Sequence, residues 1–83
     1  MMAEAYTIVL VDADLWRTER TRFRDMAQQA ADQKFEKLAQ ENMKGLVTRN
    51  PEPREMSHEE LRKYMPYAVL DGLVGLYFTA DIT

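Results

Sequence analysis

The sequence has no cysteine, one histidine, one serine, three glycines and three prolines. Without cysteine there is no disulfide and no thiolate metal site, and nothing in the chain reports on its redox compartment. With His58 as the single imidazole, a multi-histidine site within one chain is excluded, and adjacent helical positions do not let Glu59 and Glu60 converge with it on one ion. Ser57 is the only serine and has no triad around it. The glycines form no phosphate-cradling loop, so no cofactor and no metal are expected. Long apolar runs are missing too. The most apolar stretch, Met65–Phe78, is interrupted by Pro66, Asp71, Gly72 and Gly75 and falls short of the roughly 20 residues a membrane helix needs. The opening Met-Met-Ala-Glu-Ala carries no basic segment, so no signal peptide is read there. A soluble, cytoplasmic protein is expected.

What is present is one small domain of 83 residues with 46% apolar residues and a formal charge of −3. A chain this short buries a modest share of its surface, and its usual helpers are disulfides, a metal or a partner chain. The first two being absent, a partner chain or very good packing remains. The acidic balance points away from bulk attraction to nucleic acid or an anionic membrane.

Along the chain, Tyr6–Val11 combines tyrosine, threonine and β-branched residues in a short apolar run, which suits a buried strand. From Asp12 to Lys44 there is no glycine or proline. Apolar residues recur there every three to four positions, at Leu15/Trp16, Phe23, Met26/Ala27, Ala30/Ala31, Phe35, Leu38/Ala39 and Met43. That spacing predicts one helix from about Asp14 to Lys44, stopped at Gly45, on the order of 45 Å long. Thr48–Glu55, with two prolines, reads as a loop. Ser57 and Glu60 form a capping box that starts a second helix, with Met56 and Leu61 as its hydrophobic staple and Glu59–Lys63 as a supporting pair. Pro66 ends it. Alternation of Leu76, Phe78, Ala80 and Ile82 with polar or smaller neighbours predicts a C-terminal strand. The expected fold is α+β in the order strand, long helix, helix, strand. The terminal strands are candidates for pairing, and the sheet is completed by oligomerisation. The alternative is a mostly α fold in which Tyr6–Val11 begins the first helix.

Four constellations carry chemistry. Ile8-Val-Leu-Val-Asp12-Ala-Asp14-Leu resembles the first motif of haloacid-dehalogenase-type phosphatases. That resemblance implies a nucleophilic Asp12, an acid/base Asp14 and nearby magnesium. It covers about eight residues, and the chain is too short for that fold and has no matching later lysine or paired acidic motif. The simpler reading is a strand followed by an aspartate helix cap, so no catalytic residue is assigned. Arg17, Arg20 and Arg24 share one helix side, a stripe suited to carboxylates on a protein or to phosphates. Trp16 and Phe23 lie two turns apart as an apolar stripe, and tryptophan with arginine is the composition of interface hot spots. His58, Tyr64, Tyr67 and Tyr77 read as structural.

The expectation is therefore a non-catalytic protein-interaction protein, an adaptor or inhibitor of a larger partner, acting as a homo-oligomer. Its partner-binding residues would be Trp16, Arg17, Arg20, Phe23 and Arg24. The alternative is a nucleic-acid-binding regulator using the same arginines.

Overall fold

The computed structural model describes residues 3–43, 45–49 and 52–82. The fold is α+β. The elements in chain order are β1 (Ala3–Asp12), α1 (Ala13–Thr18), α2 (Arg20–Glu41), β2 (Leu46–Arg49), β3 (Arg54–Met56), α3 (His58–Tyr64) and β4 (Leu73–Ile82). The strands form one antiparallel sheet with β4 in its middle. β1 runs along the whole of one side of β4, from Ala3 opposite Ile82 to Asp12 opposite Leu73, without a register shift. The short β2 and β3 lie end to end along the other side, and β2 carries a register shift between Leu46 and Thr48.

The pairing of the terminal strands agrees with the sequence reading, and their ends extend beyond it. Thr48–Glu55 differs: strand residues of β2 and β3 occupy both ends of the expected loop. Two prolines hid this, because a proline has no amide to donate to a ladder. The flanking residues still pair with β4 because that strand is long enough to accept two short neighbours.

The single long helix is also corrected. Asp12 caps α1 through its side-chain oxygen, which accepts from the Leu15 amide at 3.0 Å. The helix then breaks at Glu19, whose φ of −128° and ψ of 49° are not helical. Helix propensity alone does not mark this break. The turn lets α1 place Trp16 in the core at one end of the sheet while α2 lies along it. α2 closes at Asn42, followed by Met43 in the left-handed region at φ 54°, so the stop precedes Gly45. At about 1.5 Å per residue α2 is roughly 33 Å long.

Period-2 alternation along the strands divides the core. Val9 and Val11 of β1, with Leu76, Phe78 and Ala80 of β4, face α2 and meet Ala27, Ala31 and Phe35. Ala27, Ala31, Phe35 and Ala39 are buried four residues apart, the spacing of one helix face. On the opposite face Met56, Leu61 and Leu70 form a second cluster with Ile8, Ala68 and Tyr77. Here α3 comes so close that a Cβ on Gly75 would lie 2.5 Å from a methyl of Leu61. Ser57 caps α3 by accepting from the Glu60 amide at 3.1 Å. The Glu60 carboxylate is bound by Arg54 at 2.7 Å, not turned back on the Ser57 amide as the capping box predicts. No described helix is long and apolar enough to cross a membrane.

Candidate interaction surface

The break at Glu19 decides the fate of the tryptophan and arginine stripe. Trp16 is 6% exposed, and its indole N–H donates to the Glu55 carboxylate. Arg20 lies over the indole ring, 4.8 Å from its centre, and donates to the same carboxylate at 3.1 Å. Arg24 pairs with Glu52 at 3.2 Å. Arg17 pairs with Asp14 within α1. Trp16, Arg20 and Arg24 are therefore brought together, but against carboxylates of the chain's own 52–55 segment. The sequence reading places those carboxylates on another molecule, because residues 28 or more positions apart are not visibly neighbours. The guanidinium of Arg17 remains open to solvent, and Phe23 packs, partly buried, against the core cluster that contains Trp16.

The acidic and imidazole candidates do not converge. Asp12 is spent on the α1 cap, and Asp14 faces Arg17 in solvent. The ring Nε2 of His58 is 2.8 Å from the Leu73 carbonyl. Among the described residues no group of three potential metal ligands comes together.

A different surface emerges along β1. Among the described residues its outer side has no neighbour in the sheet. The Ala13 amide donates to the Gly72 carbonyl at 2.8 Å, and these two residues continue the β1–β4 register by one step. In an antiparallel ladder hydrogen-bonded pairs alternate with pairs whose polar groups point away. Counting back from Ala13, residues 11, 9, 7 and 5 bond to β4. The backbone N–H and C=O of Glu4, Tyr6, Ile8 and Leu10 then point outward.

The flanks of this edge are apolar. On the helix side a hollow between β1 and α2 is lined by Val9, Leu10, Val11, Phe23 and Met26. A second hollow between the same elements is lined by Tyr6, Thr7 and Leu38 together with Lys34, Lys37 and Glu41. On the other face Tyr6 stacks on Tyr77 with ring centres 5.4 Å apart and meets Tyr64 edge-on. Removal from water, then the nearby Tyr64, Glu4 and Tyr6, hold the Tyr77 hydroxyl above its ordinary pKa. Tyr6 is 53% exposed, Met26 52%, Leu38 39% and Leu10 36%.

Sequence reasoning missed Tyr6, Leu10, Met26 and Leu38 as surface residues. A signal for two of them was present. Met26/Ala27 and Leu38/Ala39 are adjacent apolar positions 100° apart on a helix, so a core contacting the alanines leaves the larger neighbours at its margin. No protein-family model matches the chain, and comparisons with curated proteins and with solved structures find no match.

Proposed function

We propose that this chain is a non-catalytic protein-interaction protein, an adaptor or inhibitor that acts on a larger partner and works as a homo-oligomer. The observation that carries the reading is the gathering of half-exposed apolar side chains, Tyr6, Leu10, Met26 and Leu38, around a strand edge that no described residue pairs with. Exposed apolar groups arranged contiguously mark interaction surfaces, whereas the same residues scattered singly carry no such meaning. An unpaired edge adds a row of backbone donors and acceptors that bind another chain. The arginines support protein contact over phosphate contact, because Arg20 and Arg24 already hold carboxylates. They present fewer free charges to a nucleic-acid backbone, whose affinity grows with the number of phosphates neutralised.

Light scattering at micromolar concentration tests the oligomeric part. The expected mass is at least twice the 9.7 kDa of one chain. A clean monomer at the highest soluble concentration would overturn it.

A further inference from the structure

The two sides of the sheet are finished in opposite ways. On one side the edge is formed by β2 and β3, of four and three residues. A register shift interrupts β2, and Pro53 and the charged Arg54 and Glu55 lie at β3. Short strands, irregular register, prolines and charges are the devices that keep a sheet edge from pairing with another chain. β1 has charges only near its ends, Glu4 and Asp12: it is ten residues long, in unbroken register and without charge or proline from Ala5 to Val11. A chain that blunts one edge and leaves the other bare has a use for the bare one.

We propose that β1 pairs antiparallel with β1 of a second copy about a two-fold axis at Ile8, joining the two sheets into one. This rests on the homo-oligomer reading above and supplies its geometry. The outward-pointing backbone groups belong to even-numbered residues, so even residues must face even residues across the axis. With Ile8 opposite Ile8 of the second copy, Tyr6 faces Leu10, Thr7 faces Val9 and Ala5 faces Val11. Every position of the uncharged segment then meets an uncharged partner. A shift by two residues in either direction sets Glu4 against Leu10 or Asp12 against Tyr6. In the Ile8-centred register the one unfavourable pair is Glu4 with Asp12, at the solvent-exposed ends.

The helices fit the same arrangement. α2 packs on side chains of both β1 and β4. A two-fold axis between antiparallel strands stands normal to the sheet, so both copies of α2 lie on one face of the joined sheet. Met26 and Leu38, on the flank of α2 that overhangs the open edge, are then covered by the other α2, antiparallel to the first. Ten residues of strand at about 3.4 Å each give a contact edge about 34 Å long, to which the flank of α2 adds. The interface is isologous, as expected of a two-fold dimer.

The test uses Leu10, whose outward amide bonds to no residue of its own sheet. Leu10→Pro deletes that donor and leaves the β1–β4 ladder intact, and Leu10→Lys adds a charge at the edge while keeping the amide. Both variants should keep the wild-type circular dichroism and weaken the dimer at least tenfold in sedimentation equilibrium. In the cysteine-free background, Ile8→Cys should oxidise to a disulfide-linked dimer and Glu4→Cys should not. Hydrogen-bonded partners have Cα atoms about 5.5 Å apart, within disulfide reach. A monomeric wild type would overturn the homo-oligomer reading and this pairing together. A wild-type dimer that folded Leu10→Lys leaves intact would overturn the edge pairing alone. Cross-linking at Glu4 in place of Ile8 would overturn the register.

Discussion

At the scale of single residues, Gly75 is chosen by proximity and not by backbone conformation. It lies in mid-strand, where glycine ordinarily weakens a sheet, and its missing side chain is the space into which Leu61 packs. Gly75→Ala should therefore destabilise the protein by about 1–3 kcal/mol, the usual cost of overpacking a well-filled core. Urea denaturation reads this as a lower midpoint at an unchanged slope. An unchanged midpoint would mean that α3 shifts freely on the sheet. The Thr79 hydroxyl, on the same strand, is buried and has no hydrogen-bond partner among the described residues. Gly72 differs from Gly75, since its φ of 75° is a conformation that a Cβ disfavours.

At the scale of elements, α3 is held by its start. Met56 and Leu61 anchor it to the far-side cluster, the Ser57 oxygen caps it, and Arg54 of β3 binds Glu60 in its first turn. The hydrogen bond from Arg54 holds the Glu60 carboxyl below its ordinary pKa, with the guanidinium's charge adding to it. A depressed native pKa means that the unfolded chain takes up the proton first. The stabilisation is present above the ordinary carboxylate pKa and is lost as the pH falls through the lower native value. Glu60→Gln should accordingly bring the denaturation midpoints at pH 7 and pH 3 closer together than in the wild type. Ser57→Ala should lower the midpoint at both pH values, by about 1 kcal/mol, because it removes an uncharged cap. Equal pH dependence in the wild type and Glu60→Gln would show that the Arg54 contact is broken in solution.

At the scale of the whole molecule, the distribution of charge separates the two partner classes. The chain carries −3 overall, and its arginine cluster is countered locally by Asp14, Glu19, Glu52 and Glu55. Binding to generic duplex DNA at about 150 mM salt should be weaker than about 10 μM, since few phosphates would be neutralised. Fluorescence anisotropy with a labelled duplex measures this. Tight binding that falls steeply with salt would move the function to the arginine face and nucleic acid.

Much of the fold followed from local rules. The strand at Tyr6–Val11, the aspartate cap, the Ser57 helix start, the stop before Pro66 and the alternating C-terminal strand are each written within fewer than ten consecutive residues. Burial period, capping oxygen and proline act at that range. Four features were decided only when distant segments met. The helix broke at Glu19 where α1 carries Trp16 into the core and its indole toward Glu55, 39 residues away. The stretch with two prolines gained strands because β4 offered it a free side. The arginine face lost its vacancy because Glu52 and Glu55 folded onto it, and the bare edge of β1 became the open surface. Periodicity states that a residue belongs to an apolar face or a charged one. Which molecule covers that face depends on contacts between residues far apart in the chain, and these exist only once the sheet has formed.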